Sequence, residues 1–116
     1  MPENIKFPNP EDQAREQTGQ QQIKLRIDER TMQTHYANAF RTNGTAEEVM
    51  LDFGLNLLVP TAQEQSQPEI MFQVTERIIM NYYSAKRLAI AISQLIRRHE
   101  EQFGELQLDV AQRRKK

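Results

Sequence analysis

Residues 49–57 read Val49-Met50-Leu51-Asp52-Phe53-Gly54-Leu55-Asn56-Leu57. Val49, Leu51, Phe53, Leu55 and Leu57 share one parity, while Glu48, Met50, Asp52, Gly54 and Asn56 share the other. A period of two is that of a β-strand, whose successive side chains leave opposite faces. The stretch predicts a strand with Phe53 on its dry face and Asp52 pointing the other way. That disposes of a second reading. Asp-Phe-Gly is the triplet with which protein kinases hold magnesium, but kinase chemistry also needs a glycine-rich phosphate loop, a strand lysine and a catalytic loop with aspartate and asparagine. None is present, and the four glycines stand singly at 19, 44, 54 and 104.

Upstream, THYANAFRT (34–42) places Tyr36, Asn38 and Phe40 on one face and Ala37 and Ala39 on the other. It ends at Asn43-Gly44, a pair that turns easily, and Thr45-Ala46-Glu47 lengthens the loop beyond two residues. Further upstream, IKLRIDE (23–29) alternates Ile23, Leu25 and Ile27 with Lys24, Arg26 and Asp28, which predicts another strand with one wet face. Downstream, VPTAQEQSQPE (59–69) reads as a polar loop closed off by Pro60 and Pro68. In IMFQVTERIIM (70–80), Ile70, Phe72, Val74, Ile78 and Met80 fall on one face and Met71 and Ile79 on the other. A strand apolar on both sides suits a central position or a subunit contact.

The period then changes. In NYYSAKRLAIAISQLIRRHEEQFG (81–104), Ala85, Leu88, Ala89, Ile92, Leu95, Ile96, His99 and Phe103 recur at three and four. This is an amphipathic helix, with Asn81 or Ser84 to cap its start and Gly104 to follow its end. Leu106, Leu108 and Val110 alternate briefly as a short strand or packing flap. The predicted fold is α+β: a four-stranded antiparallel sheet followed by one long amphipathic helix packed on one face. Residues 1–21, proline- and glutamine-rich, read as a flexible polar arm, 22–110 as a single α+β domain, and 111–116 as a basic tail.

Composition narrows the function classes. Only 38 % of the 116 residues are hydrophobic, and 15 basic residues balance 16 acidic ones, which argues against a general polyanion binder. The absence of cysteine removes disulfides, thiolate metal sites and thiol nucleophiles. No signal-peptide pattern opens the chain and no apolar run spans a bilayer, so the expectation is a soluble protein, most simply of the bacterial cytoplasm.

The combination of IKLRID, YANAF, EEVMLDFG and ERIIMNYYSAKRLAIAISQLIRRHEEQFGEL resembles a small prokaryotic domain family of unknown function. The matching positions are Tyr36, Ala37 and Asn38, then Leu51, Asp52, Phe53 and Gly54, then Arg77, Ile78, Ala85 and Lys86, and finally Glu100, Phe103 and Gly104. They cover about residues 23–106. Members often carry proline where this chain has Tyr82 or Tyr83. The resemblance implies a fold and no established activity. In architecture only, the predicted order is also similar to the export chaperone SecB, a dimer of dimers built on a four-stranded antiparallel sheet followed by helices.

Catalytic and metal-binding patterns are thin. His35 and His99 are the available histidine ligands, short of the set of about three or four that a metal needs. Ser66, Ser84 and Ser93 lack a nucleophile-elbow context. No cofactor is implied. Asn38 and Glu76, placed mid-strand, need polar partners, and Arg77, Lys86 and Arg41 are at hand. The expectation is therefore a polar network of Asn38, Glu76, Arg77 and Lys86. One helix covers one side of such a sheet, which leaves Ala37, Ala39, Met50, Met71 and Ile79 as a candidate interaction face. The function expected is a non-enzymatic, oligomeric protein-interaction module, chaperone- or adaptor-like, whose partners are itself, as a homodimer or dimer of dimers, and another protein, with no membrane. The alternative is a nucleic-acid-binding accessory protein using Lys24, Arg26, Arg97, Arg98 and the basic tail.

Overall fold

The computed structural model describes Pro10, Gln13, residues 22–60 and residues 67–114. The rest of the expected arm at 1–21, most of the polar loop with Ser66, and the last two residues of the tail lie outside them. The elements in chain order are β1 (Ala39–Gly44), β2 (Glu48–Val59), β3 (Glu69–Asn81), α1 (Tyr82–Phe103) and α2 (Val110–Arg114). The class is α+β, with an antiparallel sheet and one long helix. The sheet has three strands in the order β1-β2-β3, not four. The missing strand is Ile23–Glu29, which alternates in sequence but pairs with no other strand. Alternation makes a segment ready to pair and supplies no partner. Leu106 and Leu108 likewise lie in irregular chain, and Val110 opens α2 rather than closing a strand.

Two compact units are present, one over 27–85 and one made of the chain on either side of it. In the first, β2 is the centre. Arg41 pairs with Asp52 on one side, and Asp52 pairs with Arg77 on the other, so three charged residues form one row. A bulge interrupts the β2–β3 ladder: Phe53 faces Glu76 and Gly54 faces Val74, which leaves Thr75 as the extra residue. The bulge reverses the alternation of half a strand. Ile70, Phe72 and Val74 join Asp52, Arg77 and Ile79 on one face, and Met71 moves to the face of Ile78 and Met80. Simple counting along 70–80 places these residues differently because it contains no bulge.

Gly54 explains why the bulge sits there. A Cβ at this position would overlap the Gln73 carbonyl and the Val74 Cα. The backbones can approach only at a residue without a side chain. The β1–β2 hairpin closes with Thr45 N donating to Glu48 O at 2.9 Å, while the Thr45 hydroxyl accepts from the backbone N of Glu47 and Glu48. The Tyr82 hydroxyl donates to Thr45 O at 2.7 Å and stands 2.5 Å from where a Gly44 Cβ would be. Gly44 thus makes room for Tyr82, and its φ is not positive.

α1 follows β3 without a linker. Asn81 caps it, its side-chain oxygen accepting from Ser84 N at 2.8 Å, the spacing of an N-cap to the third helical residue. At the far end Gly104 adopts φ +98°, and its N–H reaches Glu100 O at 2.8 Å. The Glu100 carboxylate accepts from Leu106 N at 3.0 Å, so one residue closes the helix twice. None of the described helices is long and apolar enough to cross a membrane.

Candidate functional site

Asp52 is the most buried side chain among the described residues, at 1 % exposure. Arg41 donates Nε and Nη2 to its Oδ2 at 3.0 and 2.6 Å. Arg77 donates Nε to Oδ1 at 2.7 Å and Nη2 to Oδ2 at 3.0 Å. Four charge-assisted bonds use nearly all the acceptor capacity of a carboxylate. The Arg77 guanidinium, then the Arg41 guanidinium, hold the Asp52 carboxyl far below the ordinary carboxylate range, although burial pushes the other way. Asp52 in turn raises the pKa of Arg77. The two arginines remain half exposed, at 55 % and 53 %, and the Arg41 guanidinium lies 6.0 Å from the centre of the Phe72 ring. The row carries a net charge of +1, with Met50 and Ile79 beside it on the same face. A carboxylate saturated and ionised in this way neither takes nor gives a proton near neutral pH. Its work is to lock three strands in one register, because a slip would set a buried anion against apolar neighbours.

The opposite face carries a hollow of about 400 Å³ lined by Gln33, His35, Ala37, Phe53, Glu76 and Ile78. His35 Nδ1 pairs with Glu76 Oε2 at its rim. The Thr75 hydroxyl sits 3.0 Å from Glu76 Oε1 and 3.3 Å from Phe53 O, so the bulged residue supports the acid. This pair ties the irregular chain at 33–37 to β3. Among the described residues no three His, Asp or Glu side chains gather as metal ligands do.

The expected polar residues fall into separate groups. Arg77 belongs to Asp52 and Glu76 to His35. Asn38 is exposed and extends the β1–β2 ladder, with its N–H on Gly54 O at 3.0 Å and its Oδ1 accepting from Asn56 N at 2.9 Å. Lys86 joins none of these groups. Of the candidate interaction face, Ala39, Met50 and Ile79 share the face of Asp52, whereas Met71 lies on the other and Ala37 lines the hollow. Lys24 and Arg26 lie in the irregular chain before the sheet, and Arg97 and Arg98 on α1, all exposed. Asp52 is the member absent from the expected network, and Arg41, expected as a charge for Asn38 or Glu76, serves Asp52 instead. Their signal is one acid and two arginines, each on a different strand, legible only once the register is known.

A family model described as "Protein of unknown function (DUF3467)" matches residues 7–108. The chain belongs to this family. No curated protein and no solved structure matches it. In this DUF3467 chain the Leu-Asp-Phe-Gly stretch therefore has a structural meaning residue by residue. Asp52 joins the arginines, Phe53 floors the hollow, and Gly54 admits the bulge.

Proposed function

We propose that this DUF3467 chain is a non-enzymatic protein-interaction module that works as a homo-oligomer, with a chaperone- or adaptor-like role. One observation carries the reading: among the described residues no apolar side chain is buried, and the only fully buried side chain is a charged one. Folding must offset roughly 1–2 kcal/mol of backbone entropy per ordered residue, mainly through apolar burial. Leu58 and Ile70 on the sheet are 74 % and 64 % exposed, and Leu95 on the stripe of α1 is 61 % exposed. Exposed apolar surface on both strands and helix is what an assembly covers. A second copy is the partner always present at matching concentration. The state of Asp52 supports the non-enzymatic part, since the most buried acid is held as a saturated anion.

Light scattering coupled to gel filtration, run over a wide concentration range and at two salt levels, tests this reading. The expected result is a dimer or tetramer that persists in high salt, because apolar burial is not screened. A strict, folded monomer at the highest concentration would overturn it.

A further inference from the structure

The outer edge of β3 is the longest open strand edge among the described residues. β3 pairs only with β2, so along its 13 residues alternate N–H and C=O groups point away from the sheet. No backbone hydrogen bond among the described residues takes them up. Natural edges are blunted by proline, lysine, short length or a bulge; Glu69–Asn81 contains neither residue type and runs 13 residues, with a single bulge at Thr75. Exposed Ile70 and Ile79 flank the edge on one face, and exposed Met71 and Ile78 on the other.

The same chain carries a strand-like segment with no sheet to join. Ile23–Glu29 alternates apolar and charged residues, and Leu25 and Ile27 are exposed. We propose that residues 23–28 of a second copy add as a strand to the free edge of β3, reciprocally across a twofold axis. The inference rests on the homo-oligomeric reading above and names its surface. Charge selects the edge and the orientation. Both acids of β3, Glu69 and Glu76, lie on the face opposite Asp52. A strand that sets Arg26 or Lys24 beside Glu69, the acid that His35 does not take, turns Ile23, Leu25 and Ile27 toward Ile70, Phe72 and Val74. β1 offers six residues and no acid, so its edge lacks this match. The single chain leaves segment and edge unpaired, and exchange between copies satisfies both at once.

The test uses the full chain, mixed from two isotope-labelled preparations, with Leu25→Pro alongside. Proline removes a ladder donor from a segment that the single chain does not use as a strand. In the wild type, nuclear Overhauser contacts should connect 23–28 of one copy to 69–81 of the other. The outward amides of β3 should exchange at least about tenfold more slowly than in Leu25→Pro, whose solution mass should fall. An oligomer with fast-exchanging outward amides overturns the strand exchange and leaves the oligomeric reading standing. So does one whose β3 edge meets a different segment, or contacts confined to one copy. A wild-type monomer overturns both. The wild-type contacts decide the matter even where Leu25→Pro fails to fold.

Discussion

At Asp52 a carboxylate exchanges water for two guanidinium groups, and its ionisation becomes part of the fold. Its folded pKa is depressed, so its contribution is fully present above the ordinary value of 3.8 and is lost as pH falls below it. We predict that urea midpoints of the wild type drop as pH is lowered through 4 toward 2. Asp52→Asn should be less stable at pH 7 by several degrees in Tm, and its further loss in that acid window should be smaller. Equal acid sensitivity of the two proteins would remove Asp52 from this role. Gly54→Ala should cost about 3 kcal/mol or more, at the upper end of overpacking, because the obstacle is strand backbone and not a movable side chain. A midpoint unchanged in urea titration would mean that the bulge can move. The sequence shows Asp52 as the off-core residue of its strand. It does not show the partners, which lie 11 and 25 positions away and meet only through register.

Among the elements, periodicity was informative where a partner followed nearby in sequence. β2, β3 and α1 appear where the pattern puts them, and the caps of α1 are legible as Asn81 and Gly104. Asn81→Ala should cost about 1 kcal/mol, the usual worth of an N-cap bond. Gly104→Ala should cost about 1–2 kcal/mol, because its positive φ strains any residue with a Cβ. Circular dichroism followed through thermal unfolding reads both. A loss below a few tenths of a kcal/mol for either would show that its helix end is held otherwise. Two features escape a period-two or period-3.6 count. The bulge at Thr75 shifts half of β3 to the other face, and Ile23–Glu29 has a strand's pattern without a strand's neighbour. Both are decided by pairing, a non-local property.

For the whole molecule the governing fact is the missing core. A chain of 116 residues is large enough to bury apolar side chains, yet among the described residues it buries none. If assembly supplies that burial, folding and association are one equilibrium, and stability depends on protein concentration. Substituting the exposed stripe of α1, as in Leu95→Glu, should therefore lower both solution mass and stability. A purely local helix effect would leave the solution mass unchanged. The most direct measurement is chemical unfolding at two protein concentrations a hundredfold apart, followed by circular dichroism. For a dimer, the apparent stability should rise by about 2.7 kcal/mol, the value of RT ln 100, and the midpoint should move up accordingly. Superimposable curves with a cooperative transition would show a self-sufficient monomer and contradict the account.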